Sequence, residues 1–268
     1  METKFITTLN DIRVAYFEKY NKKSKIGIVF VHGLGEHKGR YEDFINQIYK
    51  NDISVFAVDI RGHGESGGKR GYVKGFDDFI SDLDHIILHI KSKYPNLAIA
   101  LMGHSLGGLI VTGYAETKNN ANFLILSNPL LSYPLLTLLF HFVPYKMLGS
   151  VKIKKTKSES AEMLKYSYND PLACNYFTLR LLGSIFNKGI SFVYKRLEKV
   201  KIPVLLLGGE LDPVLNSKRL YKIVSQFGSD DKELKIYKET KHRLLQSSKK
   251  KEVICDITDW LKTRINCL

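Results

Sequence analysis

The chain has 268 residues and 44% hydrophobic content, enough for a large core within one α/β unit that carries an insertion. Its formal net charge is +14, but lysine outnumbers arginine 32 to 9 and is mostly scattered, so the charge reads first as compositional. No aromatic–basic interleaving is present, which argues against nucleic acid and leaves an anionic membrane surface as the partner that the charge would serve.

The three cysteines, Cys174, Cys255 and Cys267, are odd in number and widely spaced, which speaks against a disulfide framework or a thiolate metal site. A reducing cytoplasm is the expected compartment. Nothing in the first residues resembles a targeting signal. The most apolar stretch, Leu130 to Leu148, is broken by Pro134, His141, Pro144 and Lys146 and falls short of a bilayer span.

In chain order, alternating segments at Lys4 to Leu9 and Ile12 to Tyr20 flank a turn at Asn10-Asp11 and predict an antiparallel hairpin. Solid apolar runs follow at Ile26 to Val31, Ile53 to Val58, Leu97 to Met102, Phe123 to Leu126 and Val204 to Leu207. Such runs suit parallel strands covered on both faces. Helical patterns lie at Tyr41 to Tyr49, Phe76 to Tyr94, Leu106 to Lys118, Ser217 to Phe227 and Glu252 to Arg264. The alternation predicts an α/β fold with a mostly parallel sheet flanked by helices. From about Leu130 to Val200 the rhythm breaks, which predicts an insertion over the sheet's carboxyl edge, where ligands bind in open α/β folds. The expected division is a core of residues 1–128 and 201–268 with a cap at 129–200.

The residues that carry chemistry begin with Gly103-His104-Ser105-Leu106-Gly107, a G-x-S-x-G between a strand and a helix. Glycine at 103 and 107 lets strand and helix nearly touch, and the turn exposes Ser105 above the sheet. A serine needs a base, and the base needs an orienting acid. With this elbow the order along the chain is serine, acid, histidine, each on a loop after a strand. Asp212 follows Val204 to Leu207, and His242 follows the alternating run Leu234 to Tyr237. Glu210 competes as the acid; Asp212 ranks ahead because it lies deeper in the loop and precedes Pro213. The oxyanion donors are expected to be the backbone N–H of Leu106 and that of Leu34 in His32-Gly33-Leu34-Gly35.

Two phosphate motifs fail on spacing. The dinucleotide fingerprint starting at Gly33 needs glycine where Lys38 stands, and a P-loop at Gly62 to Lys69 meets His63 and Arg70 at its fixed positions. No histidine pair has metalloprotease spacing. No cofactor and no metal are expected. Asp59 to Gly64 is expected to buttress the active-site face.

Val31 to His37 with Gly39-Arg40-Tyr41, Asp59 to Gly67, Gly103 to Gly108 and Asn169-Asp170-Pro171-Leu172 together resemble the monoacylglycerol lipase and lysophospholipase branch of the α/β-hydrolases. The similarity runs from about residue 26 to the C-terminus, and Asp212 and His242 fall where that family has its acid and base. It implies an α/β-hydrolase core with a helical cap that forms a channel for one acyl chain and often sits on membrane. It also implies a glyceryl-side pocket near the oxyanion loop, with Glu36 and Arg40 at substrate-binding positions. One departure is clear: mammalian monoacylglycerol lipases carry a second histidine three residues past the catalytic one, and here that position is Leu245. Lysophospholipids and simple esters therefore stand beside monoacylglycerol as substrates. The aliphatic run Leu135, Leu136, Leu138, Leu139, Phe140, Phe142 and Val143 fits a lipid channel or a membrane-dipping surface. A small-molecule carboxylesterase, a serine aminopeptidase holding its substrate through Glu159 or Glu162, and a non-catalytic binding relative are the competing readings.

Overall fold

A computed structural model describes residues 1–8, 11–118, 120–133, 149–152 and 170–265. Eight strands form the main sheet: β1 (Thr3–Thr7), β2 (Arg13–Lys19), β3 (Ile26–Val31), β4 (Ser54–Val58), β5 (Ala98–His104), β6 (Phe123–Ser127), β9 (Val204–Gly209) and β10 (Lys232–Tyr237). Their spatial order is β1-β2-β4-β3-β5-β6-β9-β10. The β1–β2 and β2–β4 pairs are antiparallel, and every other pair in this sheet is parallel. Two further short strands, β7 (Ser150–Lys152) and β8 (Tyr176–Thr178), pair with each other outside it.

Side chains alternate across the sheet as the pleat demands. Val29 and Val31 of β3 enter one apolar cluster, while Ile28 and Phe30 enter the other. The second cluster is closed by α1 (Glu42–Tyr49) and α7 (Lys250–Ile265). The first is closed by α2 (Asp77–Lys93) and α3 (Leu106–Thr117). In α2 the buried residues Phe79, Ile80, Leu83, Ile86, Ile87 and Ile90 keep to a single helical stripe. Asp77 and Asp78 begin that helix and Lys91 and Lys93 end it, each complementing the helix dipole. On the same face, α6 (Lys218–Gln226) buries Leu220 and Ile223 against this core, with Leu220 lying over Gly208 of β9.

The described part of the insertion holds α4 (Leu179–Gly183), a π-helical stretch (Ser184–Gly189) and α5 (Ile190–Tyr194). Leu181, Ile185, Ile190 and Val193 are buried in the same cluster as α2 and α3, while Cys174 N donates to the Gly35 carbonyl at 3.0 Å in the loop after β3. The aliphatic run from Leu135 to Val143, and Glu159 and Glu162, lie outside the described residues.

The strand order reverses between β3 and β5: the chain runs from β3 to β4 on one side and returns to lay β5 on the other. Loops leaving such neighbours part in opposite directions and open a crevice at the strands' carboxyl ends. Here those loops are His32 to Glu36 and the turn at Ser105.

Candidate active site

Ser105 lies between β5 and α3 with φ 51° and ψ −115°, left-handed backbone that a non-glycine residue rarely adopts. The turn is enforced by crowding. A Cβ on Gly103 would run into the Gly107 carbonyl, and one on Gly107 into the Val31 carbonyl. The backbone of Ser105 is held on both sides: its N–H donates to the Ser127 carbonyl at 3.1 Å, and its carbonyl accepts from Leu130 N at 2.9 Å. The first N–H groups of α3, Leu106 included, have no intrahelical acceptor, as at any helix start.

Asp212 and His242 come together at the far side of the crevice. His242 Nδ1 donates to Asp212 Oδ2 at 2.7 Å. A carboxylate only accepts, so Nδ1 carries the proton of this bond, and in the neutral ring that tautomer leaves the lone pair on Nε2. Asp212 has no exposed side-chain surface, and its second oxygen accepts from the backbone of Val214 (2.7 Å) and Leu215 (3.0 Å). The carboxylate is thus fixed by a turn of its own loop. Glu210 is turned elsewhere: its Oε2 accepts from Glu239 N at 3.1 Å. The His242 ring packs 4.9 Å from that of His104. Burial drives the His104 pKa down to about 4 against the pull of Glu36, with His242 and Arg243 adding to the fall.

Leu34 stands in the loop after β3. A Cβ on Gly33 would lie 3.3 Å from Ser105 Cβ, so this loop rests directly on the elbow. Glu36 shapes it from within. Its Oε2 accepts from Gly33 N (3.1 Å) and the Tyr41 hydroxyl (2.5 Å), and its Oε1 pairs with Arg243 Nε at 3.2 Å. Burial pushes this carboxyl up, but Arg243, His104 and Tyr41 outweigh it and hold the pKa well below the usual carboxylate range. Arg40 is likewise engaged: its Nε donates to Asp170 Oδ2 at 2.9 Å, and His37 Nε2 donates to the same oxygen at 2.9 Å. The two residues that the resemblance put at the head group therefore both have partners inside the protein. Asp170, in the insertion, links that insertion to the oxyanion loop. Leu245 is buried with α1 and α7.

Beneath the loop, His32 Nδ1 donates to the Gly33 carbonyl at 2.8 Å and Nε2 accepts from Ile60 N at 3.1 Å. Asp59 is fully buried. It accepts from Lys38 N (2.6 Å), Lys38 Nζ (2.9 Å) and Glu65 N (2.8 Å). Burial alone would raise its pKa; His32 and Lys38 bring it below normal. The Asp59 to Gly64 segment is thus tied to the loop after β3 through Ile60 N and the Asp59 carboxylate. Among the described residues no group of three His, Cys, Asp or Glu side chains could hold a metal ion. Cys174 and Cys255 are free.

Sequence reasoning missed Asn128, Arg243 and the internal role of Glu36. Arg243 carries no motif; its position beside His242 was its only signal. Asn128 could have been flagged, because it is a polar residue before proline at the end of a buried strand.

With this geometry in hand, the comparisons with known proteins agree. The family described as serine aminopeptidase S33 matches residues 22–249. The chain is 32% identical to rat monoglyceride lipase over 252 residues, covering 89% of this chain and 83% of the relative. It is 33% identical to human monoglyceride lipase over 229 residues, covering 81% and 75%. The solved monoacylglycerol lipase of Paleococcus ferrophilus superposes with a TM-score of 0.78 at 27% identity, covering 97% of this chain and 98% of that one. The fold and site define an α/β-hydrolase. The chain belongs to the serine aminopeptidase S33 family of that class, on the branch that includes the monoglyceride lipases.

Proposed function

We propose that this protein is a carboxylic-ester hydrolase that cleaves monoacyl lipids, monoacylglycerol first among them, with Ser105 as nucleophile, His242 as base and Asp212 as the orienting acid. The observation that carries the reading is the 2.7 Å contact between His242 and Asp212 at the carboxyl edge that also bears the strained Ser105 turn. The names of the relatives supply the substrate class.

In this reading His242 Nε2 takes the Ser105 Oγ proton as oxygen attacks the ester carbonyl. The oxyanion is received by the Leu34 and Leu106 N–H groups. Collapse breaks the ester C–O bond, the alcohol leaves with the proton from His242, and an acyl-serine forms. Water, deprotonated by His242, then releases the fatty acid and restores Ser105. Residues 1–128 and 201–268 act as the core and 129–200 as the cap. Glu36 and Arg40 shape the head-group side, held by Arg243 and Asp170, without themselves being free ligands.

No described helix is long and apolar enough to cross a membrane. The +14 charge supports a peripheral, cytoplasmic encounter with anionic lipid. A fluorophosphonate should label wild-type protein at Ser105 and leave Ser105→Ala unlabelled. Turnover should be compared on monoacylglycerol, lysophosphatidylcholine, p-nitrophenyl esters of increasing length and an aminoacyl naphthylamide. Each buried CH₂ contributes ~0.8 kcal/mol, so kcat/KM should climb with chain length. A preference for acetyl over decanoyl esters would overturn the lipid assignment, and turnover of the naphthylamide alone would make the protein an aminopeptidase.

A further inference from the structure

The four residues Ser127 to Leu130 touch all three loops of the proposed triad. The Ser127 carbonyl accepts from Ser105 N (3.1 Å) and from His104 Nδ1 (3.1 Å), and Leu130 N donates to the Ser105 carbonyl (2.9 Å). Between them stands Asn128, 1% exposed. Its Nδ2 donates to the carbonyl of His242 at 2.6 Å and reaches that of Lys241 at 3.5 Å. Its Oδ1 accepts from Gly209 N at 3.0 Å, at the end of β9. The Gly209 carbonyl in turn accepts from Asp212 N at 3.3 Å, so the same short segment reaches the turn that carries the acid.

We infer that Asn128 is a positioning residue for the hydrolytic reaction, setting the histidine loop and the acid turn in register with the nucleophile. The inference rests on the Ser105, Asp212 and His242 reading above.

The residue type follows from three demands made at one place. The backbone at 128 has φ 41°, left-handed and tolerated chiefly by glycine, asparagine and aspartate. The His242 carbonyl needs a donor. The Gly209 N–H needs an acceptor. Glycine meets the first demand alone. Aspartate meets the first and third but sets a negative carboxylate against the carbonyls of His242 and Lys241. Asparagine meets all three. The bonds go to backbone on both sides, so Asn128 fixes where the loops stand and leaves the His242 ring free to exchange protons at Nε2. A loop displaced by about 1 Å can cost about 10²-fold in rate without any loss of substrate contacts.

Asn128→Gly tests this most cleanly, because it relieves the backbone and removes only the amide. The expected result is a kcat on a soluble p-nitrophenyl ester lowered about 10²-fold with KM within about twofold. The second-order rate of fluorophosphonate labelling at Ser105 should fall in step. A role confined to stability would lower Tm and leave both rates of the folded protein unchanged, and that result overturns the proposal. Should Asn128→Gly fail to fold, the near-isosteric Asn128→Asp takes its place. A folded Asn128→Asp protein with a comparable kcat loss supports the inference, and one with wild-type kcat overturns it. If wild-type protein is not labelled at Ser105, the hydrolase reading falls first and this inference with it. Normal wild-type labelling with an unchanged Asn128→Gly rate removes the inference alone.

Discussion

Two carboxylates serve this site, and they are held in opposite ways. The Asp212 side chain is buried on the loop after β9 and faces His242, a partner that can gain and lose a proton. Glu36 is buried on the loop after β3 and faces Arg243, whose charge is permanent. The Asp212 side takes its remaining support from backbone N–H groups of Val214 and Leu215, so the carboxylate is fixed while its partner changes state. The Glu36 side spends its oxygens on Gly33 N and the Tyr41 hydroxyl and holds the loop that bears Leu34. In the proposed mechanism one pair serves the chemistry and the other the geometry, and Arg243 next to His242 in sequence joins the two.

The comparison can be broken most sharply at Asp212. Asp212→Asn keeps the shape but offers His242 the wrong tautomer, and kcat should fall about 10⁴-fold, the size of that effect in the serine-protease case. Glu210→Gln should cost under about tenfold, since Glu210 is tied to Glu239 N and not to the histidine. Steady-state kinetics on a soluble ester decide it; reversed effects would hand the acid role to Glu210.

At Glu36 the expected loss is smaller and of another kind. Glu36→Gln can still accept from Gly33 N but turns an amide toward Arg243, so kcat should drop about 10- to 100-fold through a misplaced oxyanion loop. Arg243→Met leaves a buried carboxylate without its cation. Burial would then raise the Glu36 pKa, and the pH–rate profile should acquire an acidic limb additional to the one that protonation of the proposed base gives wild type. If the pair acts as a unit, the double variant should be no worse than the poorer single one. Additive losses would separate Arg243 from the oxyanion loop.

Stability against pH sharpens the contrast between the carboxylates and the neutral histidines beside them. Burial lowers the pKa of His63 to about 3 and that of His104 to about 4. The unfolded chain takes up these protons below about 6.5 while the native protein does not. Stability should therefore fall as pH drops from about 6.5 toward 4, by up to about 1.4 kcal/mol per unit for each histidine. Glu36 follows the same sign in a lower window: its lowered pKa adds stability above the ordinary carboxylate range and withdraws it as pH falls through and below that range. Glu116 opposes the histidines over their range, because burial raises its carboxyl to about 9, so melting temperatures at pH 7.5 and 5.5 should be compared in a Glu116→Gln background, where the histidine effect stands apart. A flat profile over that range would mean that the rings find compensating partners.

Much of this was legible beforehand, and the reasons are local. The strands Ile26–Val31 and Phe123–Ser127 are covered on both faces, so unbroken apolar runs gave them away. Ser105 announced itself because glycine at 103 and 107 is a steric necessity visible as letters. Asp212 and His242 followed from chain order. What stayed hidden depends on contacts across long separations. Glu36 meets Arg243 over two hundred residues away, and Asn128 meets His242 over one hundred away. No periodicity encodes either meeting. The packing of the insertion was also hidden: Leu181, Ile185, Ile190 and Val193 join the main apolar cluster, and a short apolar helix looks the same in sequence whether it lines a channel or a core.

The smallest expected effect separates buried charge from exposed charge. The Asp212–His242 and Glu36–Arg243 pairs lie largely out of water, and salt at moderate concentration screens such pairs weakly. Turnover of a soluble short-chain ester should therefore change little between about 50 and 200 mM salt. The lysines that make up most of the +14 charge are a different population. Some are already paired on the surface, as Lys250 is with Asp43 and Lys118 with Asp84. If the rest draw the protein to anionic lipid, turnover of the same ester class presented in phosphatidylserine vesicles should fall severalfold over that salt range, since the attraction decays within a Debye length of about 10 Å. Neutral vesicles give the reference slope. Equal slopes on anionic and neutral vesicles would return the charge to composition alone and leave membrane encounter to the apolar part of the cap.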